Sequence, residues 1–397
     1  MPSVETASSS ESMATRHADT LILGGGFGGI AVATGLREAV GKDHEIVVVD
    51  RAPRFSMGVR KLWELVGIGT IADGSRPRAL LEGIGVDFVR TEIRAIDPSS
   101  RTVETEAGTM SGERVVIALG AAPRPDLVPG LAEHGHDVWS VAAIEDAASA
   151  LGRFDGGRIL ILVAGAPYSC PPAPYECAFL VDEYLSSRGL RAASSIDVAT
   201  VQPMLMPNAG RDGSDWMAAQ LTQRGIGHQA GVAVSHVEAG HVVLADGGLP
   251  FDLLFAVPPH RPPAVLTDSG LLGEHGWVAV DARTLETAFD GVYAVGDCTM
   301  IRLANGLPMP KAGLVAELEG DRVARAIAAQ VRGDPPAAPF DGAGECFIEM
   351  GAEQAAMFSG RFFEEPAPQI SIREPAPDHA AKKRAFEAER LAKWFGR

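Results

Sequence analysis

"ADTLILGGGFGGIAVATGLREAV", Ala18 to Val40, decides the fold. The apolar run Leu21-Ile22-Leu23 reads as a buried strand, the chain turns at Gly24-Gly25-Gly26-Phe27-Gly28-Gly29, and Ile30, Ala33, Thr34 and Leu36 then recur at helical spacing. The turn is a G-x-G-x-x-G. Gly24 permits the tight bend, Gly26 lets the backbone approach a pyrophosphate, and Gly29 lets the helix pack close to the strand. The helix N-terminus then faces the phosphates. About twenty residues on, "HEIVVVD", His44 to Asp50, is a second buried strand whose terminal acid is placed to accept a ribose hydroxyl. Strand, turn, helix, strand and acid together are far more specific than a glycine motif alone.

A second unit of the same kind starts at Gly157: "GRILILVAGAPYSCPPAPYEC". It continues through a helix near Tyr175–Ser187, the strand "SIDVATVQP" and a β-rich tail with a probable hairpin at "GHVVLADGG", Gly240 to Gly248. Here the turn, Ala164 to Pro174, is filled with prolines, which bring ring bulk and no N–H donors. A nicotinamide cradle is therefore not expected in it. Instead Cys170 lies near the start of a helix expected to follow Pro174, with Cys177, Leu180, Val181 and Tyr184 as its apolar stripe. A helix N-terminus favours a thiolate, so Cys170 is a candidate reactive sulfur. Glu176 is a candidate proton handler, although the same helix end is expected to depress its pKa. After Arg332 the Pro/Gly linker "GDPPAAPFDGAGE" leads to a third segment, 340–397.

Composition narrows the classes. With 397 residues the chain has room for two or three domains, and 46% hydrophobic with 22% charged residues is ordinary globular usage. A formal net charge of -16 repels phosphate backbones, so no nucleic-acid partner is expected. Residues 1–18 are Ser/Thr-rich without an apolar signal core and read as a disordered leader. No apolar run approaches the roughly 20 residues of a membrane span, which points to the cytoplasm with at most peripheral contact at the inner face of a membrane. Four cysteines are not a disulfide scaffold in that compartment, so any disulfide is expected to be catalytic. Ten histidines without paired ligand spacing predict no metal.

Two further stretches, "ERVVIALGAAPRP" from Glu113 and "GVYAVGDCT" from Gly291, resemble the second and third signatures of flavoproteins with two dinucleotide-binding domains. The resemblance implies FAD, with Gly120, Gly296 and Asp297 as ligands. The fold class is then α/β: an FAD domain split between 19–130 and 281–335, a second Rossmann-like domain at 131–280 without an NAD(P) glycine motif, and the small C-terminal segment. Cofactor contacts are expected at Gly24, Gly26, Phe27, Gly28, Gly29, Asp50, Arg51, Gly120, Gly296, Asp297 and Lys311.

"CPPAPYE", Cys170 to Glu176, "PKAGLVAELEG", Pro310 to Gly320, and "ECFIEMG", Glu345 to Gly351, resemble the family of sulfide:quinone oxidoreductases and flavocytochrome c sulfide dehydrogenase flavoproteins. The resemblance makes Cys346 the disulfide partner of Cys170 beside the flavin, with Cys346 nearer the ring and Cys170 holding sulfur. It makes Lys311, on a helix, a positive charge near the flavin, or else a solvated helix residue. Cys177 and Cys298 are expected to be packed thiols. The sequence also departs from the family. No third cysteine stands in "AAPRPDLVPG", and Met57 stands where flavocytochrome subunits attach FAD, so FAD is expected to be non-covalent.

The implied activity is oxidation of sulfide, a persulfide or a small thiol, with electrons passing to quinone or a soluble acceptor. The alternatives are a type II NADH:quinone oxidoreductase and a flavin-bound disulfide redox sensor without turnover. Oligomeric state is open, a homodimer included. The last stretch, Asp378 to Arg397, has six Lys/Arg against three Asp/Glu and reads as a helix. Ala381, Ala388, Leu391, Ala392 and Phe395 are expected to share its apolar face. Lys382, Lys383, Arg390 and Lys393 would then reach anionic lipid, or the helix would instead close over the flavin as a lid with Phe386, Trp394 or Phe395 against it.

Overall fold

Leu21, Ile22 and Leu23 lie fully buried in strand β1 (Thr15–Leu23), and the glycine turn leads from it into helix α1 (Phe27–Ala39), whose Ile30, Ala33, Thr34 and Leu36 are all buried. The computed structural model describes residues 15–396, so residues 1–14 of the expected leader lie outside the described residues. Thr15 to Ala18 are not leader. They are strand, paired in parallel register with Thr109 to Gly112.

The first sheet is built around β1. It continues through β2 (Ile46–Asp50), helix α2 (Arg60–Leu65), β3 (Asp87–Arg90), β4 (Ile93–Asp97), β5 (Thr102–Thr105) and β6 (Gly108–Ile117). The spatial order is β3-β2-β1-β6-β5-β4, with the β3-β2-β1-β6 part parallel and the β6-β5-β4 meander antiparallel. Strands buried on both faces need near-continuous apolar runs, which "IVVV" in β2 supplies.

The second sheet starts with β7 (Gly157–Val163), followed by helix α3 (Ala173–Ser187), β8 (Ser194–Thr200), β9 (Gly227–Ala230) and β10 (Leu253–Val257). Its order is β10-β7-β8-β9, all parallel, with a two-residue strand at His136–Asp137 on the outer edge of β10. The expected hairpin is present as part of an antiparallel three-stranded sheet spanning 234–250. The chain then returns to the first sheet: β11 (Val292–Ala294) pairs with β6 and helix α4 (Gly313–Arg332) packs along α1. Both sheets are Rossmann-like, and the fold class is the α/β one expected.

The C-terminal segment is an antiparallel sheet, β12 (Ala343–Gly351), β13 (Gln354–Arg361) and β14 (Gln369–Ala376), followed by helix α5 (Pro377–Phe395). Helix α3 packs on β12, which brings the second sheet's first helix against the C-terminal strands. Helix α5 buries Leu391 and Phe395 of the expected apolar face together with Ala380, Lys383, Glu387 and Trp394, whereas Ala381, Ala388 and Ala392 are exposed. Burying Trp394, Leu391 and Phe395 stabilises this docking by roughly 2–3 kcal/mol per side chain relative to exposure. No helix among the described residues is long and apolar enough to cross a membrane.

A Cβ on Gly29 would sit 1.9 Å from the Gly24 carbonyl oxygen. Helix and strand cannot keep their present approach around it. Gly29→Ala is expected to destabilise the fold by about 2–4 kcal/mol, read as a lowered denaturation midpoint; an unchanged midpoint would show that the turn has slack the packing does not suggest.

Candidate active site

The first βαβ unit supplies a phosphate cradle. Gly24 has φ +103, and a Cβ there would meet Ala118 O at 2.3 Å, so the tight turn requires glycine. A Cβ on Gly26 would meet nothing within 4 Å: its outer face is open, as close approach by a pyrophosphate demands. Helix α1 has no side-chain cap at its N-terminus, which leaves the first-turn N–H groups free to donate. Asp50 at the end of β2 accepts from Gly25 N and Ala52 N, both at 2.8 Å. A buried guanidinium absent from the sequence reading braces this corner: Arg78 donates through Nε to Gly25 O at 2.7 Å and through Nη1 to Ala52 O at 2.7 Å.

Between this cradle and the second sheet lies a cavity of about 260 Å³. Phe27, Lys61, Cys170, Glu176, Asp297 and Cys346 are in its wall. Phe27 packs against Phe55, Trp394 and Phe386, and α5 contributes Lys383 and Phe386 to the wall. Arg51 is turned outward with its side chain 74% exposed and pairs with Glu92 at 3.4 Å. Gly120 has φ +65 and open space where a Cβ would be, and Gly296 donates its N–H to a buried Glu319 carboxylate. Burial pushes the Glu319 carboxyl up to about 7 and also raises Asp297, which Lys311 and Lys61 oppose.

Cys170 and Cys346 meet in this cavity. Helix α3 begins at Ala173, one residue before the Pro174 expected to precede it, so the proline occupies the first turn, where its missing N–H is no loss. Cys170 has φ +54, an uncommon conformation for a residue with a Cβ, and its N–H donates to Lys311 O at 2.6 Å. Cys346 comes from β12. Both cysteines are free thiols in the wall of this cavity, and the Cys346 thiol donates to Phe347 O at 3.9 Å. The neighbouring Cys346 thiol is the largest influence holding the Cys170 thiol below its ordinary value, ahead of the opposing effects of burial and Glu176. The presence of Cys170, with burial, drives Cys346 well above its usual range.

Glu176 does not behave as its helix position suggests. Burial raises its pKa, as does the Glu349 charge, while Lys383 pulls it down. A helix end is worth about 0.3–1 kcal/mol at an exposed site, and removing a carboxylate from water costs several. Lys383, assigned to a lipid-facing surface by sequence, is in fact buried: its Nζ bonds Glu176 Oε1 and, at 2.9 Å, Glu349 Oε2. Trp63 Nε1 donates to the same Glu349 oxygen.

Lys311 is neither solvated nor on a helix. It precedes α4 in extended chain and is 5% exposed. Its Nζ donates to Asp297 O at 2.8 Å and Thr299 O at 2.7 Å and lies 3.8 Å from the Trp277 ring centroid. Since its own carbonyl holds Cys170 N, Lys311 ties the Gly296-Asp297 turn to the cysteine. Lys61, also missed, has its Nζ on Trp139 O at 2.6 Å, while Trp139 Nε1 donates to Ser169 O at 3.0 Å. Burial lowers the Lys61 pKa and Cys170 is the largest opposing influence. Cys177 and Cys298 are fully buried, with burial raising both thiols, Cys298 to about 12. Among the described residues no group of three or more His, Cys, Asp or Glu could hold a metal ion.

The family profile described as pyridine nucleotide-disulphide oxidoreductase matches residues 18–330. The chain belongs to that family. The resemblance to sulfide:quinone oxidoreductases holds across most of the chain. The mitochondrial sulfide:quinone oxidoreductase of Mus musculus is 26% identical over 357 residues, 85% of this chain and 77% of that one. The Staphylococcus aureus type II NADH:quinone oxidoreductase is 23% identical over 341 residues, 81% of this chain and 85% of that one. The solved sulfide:quinone oxidoreductase of Aquifex aeolicus superposes with TM-score 0.86 at 24% identity over 96% of this chain and 91% of that one, a likeness of fold. The protein is an FAD-dependent oxidoreductase. Its open glycine cradle, uncapped α1 N-terminus and adjoining cavity fit FAD.

Cys170 is expected to be the first sulfur alkylated in the reduced protein, because its thiol is held below the ordinary range. Cys346→Ala removes the largest lowering influence and leaves burial and Glu176 opposed only by Lys383 and Lys61, so the Cys170 labelling profile should move to higher pH. Iodoacetamide labelling followed by mass spectrometry checks this, and preferential labelling of Cys346 would contradict it.

Proposed function

We propose that this protein oxidises sulfide, or a small persulfide or thiol, through a redox disulfide between Cys170 and Cys346, with quinone as the electron acceptor and a soluble acceptor as the substitute for it. The observation that carries the proposal is the meeting of these two thiols, from chain segments far apart in sequence, in the wall of one cavity beside the FAD cradle. Residues 19–130 and 281–335 would form the FAD domain and 131–280 the second. Gly24, Gly26 and the α1 N-terminus would hold the pyrophosphate, Asp50 the ribose, and Asp297 the part of FAD nearest the cavity. No cysteine lies in the loop around Met57, so FAD would be held without a covalent bond. When bound, FAD supplies a two-electron acceptor beside the cysteine pair.

The chain's own residues do the sulfur chemistry. Hydrosulfide attacks one sulfur of the disulfide: a new S–S bond forms, the Cys–Cys bond breaks, and a persulfide and a thiolate result. A second hydrosulfide takes the outer sulfur away as a disulfide anion and leaves one thiol and one thiolate, whose reclosure gives up two electrons and one proton, the complement that bound FAD would accept. Lys61 stands where it stabilises the anionic sulfur on Cys170, and Glu176 shares the wall for proton transfer. Helix α5 closes the cavity as a lid rather than lying free for lipid, since Trp394 and Lys383 are inside the protein. The NADH reading is not favoured, because the turn before α3 carries Pro167, Pro171 and Pro172 where a second pyrophosphate would need N–H donors.

Anaerobic mixing separates these readings. Sulfide is expected to bleach the flavin rapidly and a quinone analogue to restore it, while NADH bleaches it slowly or not at all; fast bleaching by NADH would sink the proposal. Cys346→Ser and Cys170→Ser should each retain FAD yet slow reduction by sulfide by about 10²-fold or more. Cys177→Ser should instead cost about 1–3 kcal/mol of stability at an unchanged reduction rate, because it buries a hydroxyl where a thiol is packed.

A further inference from the structure

Trp139, Ser169 and His260 follow the C-terminal ends of neighbouring parallel strands: the edge strand His136–Asp137, β7 and β10. Open parallel sheets bind ligands outside such strand ends. Ser169, next to Cys170, lines the cysteine cavity together with Trp139 and Lys61. His260 is 1% exposed, and its Nε2 faces the Ser169 hydroxyl.

The hydrogen bonds fix which way that hydroxyl points. His260 Nδ1 lies 2.8 Å from Pro258 O, which can only accept, so Nδ1 carries the hydrogen. Burial, aided by Lys61 and Lys311 and opposed by the Pro258 hydrogen bond and Asp137, pushes the imidazole down to about 4, so near neutral pH Nε2 is bare. It lies 3.4 Å from Ser169 Oγ and, among the described residues, is the one acceptor for the hydroxyl hydrogen. Trp139 Nε1 donates to one Oγ lone pair at 3.0 Å. A hydroxyl has two lone pairs, so one remains, on a residue of the cavity wall. Ser169 therefore meets the cavity as an acceptor and not as a donor.

Such an acceptor distinguishes sulfur nucleophiles. Hydrosulfide carries a hydrogen on its attacking anionic sulfur, whereas an organic thiolate or persulfide anion carries none. In free hydrosulfide that hydrogen is a poor donor, because its sulfur bears the full negative charge. As the new S–S bond forms and the Cys–Cys bond breaks, the charge passes to the departing thiolate, and the S–H becomes that of a persulfide, a stronger acid and a better donor. An acceptor fixed in advance gains its hydrogen bond as the transition state is reached, where it speeds the reaction rather than merely tightening binding.

We propose that the Ser169 hydroxyl oxygen accepts this S–H during attack on the Cys170–Cys346 disulfide and so selects hydrosulfide over organic thiolates, with His260 as the positioning residue that holds the hydroxyl hydrogen away from the cavity. The inference rests on the sulfur chemistry proposed above. The hydrogen stays on its sulfur throughout: one S–S bond forms, one breaks, and Ser169 exchanges neither proton nor electron.

The test opens the oxidised pair of the FAD-loaded protein with hydrosulfide or with methanethiolate, each rate taken per concentration of the anion. Iodoacetamide traps the products, and mass spectrometry counts persulfide and methylthio adducts. In Ser169→Ala the ratio of the hydrosulfide rate to the methanethiolate rate should fall by about 2- to 5-fold, the range of an S–H···O bond. Ser169→Thr keeps the hydroxyl and should bring the ratio back toward wild type. His260→Leu frees the hydroxyl hydrogen to turn into the cavity and donate to any sulfur anion, so there too the preference for hydrosulfide should fall. An unchanged ratio in Ser169→Ala, both nucleophiles slowing together included, would overturn the recognition, and an unchanged ratio in His260→Leu would overturn the positioning role. Adduct formation is read without flavin reduction. Flavin that stays oxidised under sulfide while the pair opens removes the proposed turnover and leaves the recognition, whereas an unchanged ratio in Ser169→Ala removes the recognition and leaves the turnover.

Discussion

The buried ammonium of Lys383 is the constraint on which the site depends. An isolated cation cannot be taken out of water at tolerable cost, so the fold must deliver carboxylates to it, and it does so from two different segments. Glu176 lies on α3 just after the Cys170 turn, and Glu349 lies on β12 three residues after Cys346. Satisfying Lys383 therefore sets the distance between the elements that carry the two thiols. Such a triad need not be more stable than a well-packed apolar core, but breaking one partner of a buried pair costs about 3–5 kcal/mol, which penalises any arrangement that separates the segments. A second ion pair, Arg390 with Glu317 at 2.9 Å, fixes α5 to α4 nearer its other end.

What could be read from the sequence was what is local in it. The glycine turn, Asp50 and the flanking strands are written within about thirty residues, and Gly24 and Gly29 stand where a Cβ would clash, as their spacing implies. The partners of Lys383 are 207 and 34 positions away, and no periodicity reports such contacts. One lysine of the C-terminal helix was misplaced for a related reason: amphipathic reasoning turns lysines outward, as Lys382 and Lys393 are, but two carboxylates draw Lys383 inward. Lys311 was placed in the right region and the wrong structure, because Pro310 and an extended Ala312 delay the helix to Gly313. Arg78 and Lys61 belong to no motif and are visible only once their carbonyl partners have been brought together. The family match ends at residue 330, so Cys346, Glu349 and Lys383, the residues most specific to the proposed chemistry, lie outside it.

The same βα unit is used twice with opposite turn chemistry. In the first, glycine clears the helix N-terminus for an anion that must be cradled by backbone N–H groups. In the second, prolines close that space and hold a thiol in it. The cost is visible at Cys170, whose φ of +54 is of a kind worth about 1–3 kcal/mol and persists only where neighbours fix it. Lys311 O on its N–H and the Tyr168 hydroxyl on Pro171 O, at 2.9 Å, do so here. Placement before a helix suggests that the helix end acidifies this sulfur, yet the largest influence is the neighbouring Cys346 thiol. The distinction has a chemical consequence. A thiol acidified by a helix is reactive whatever its partner does, whereas a thiol acidified by the other member of its pair is reactive only while the two are held together. In the proposed chemistry the reactivity of Cys170 would then depend on the packing of α3 on β12 that holds Cys346 beside it.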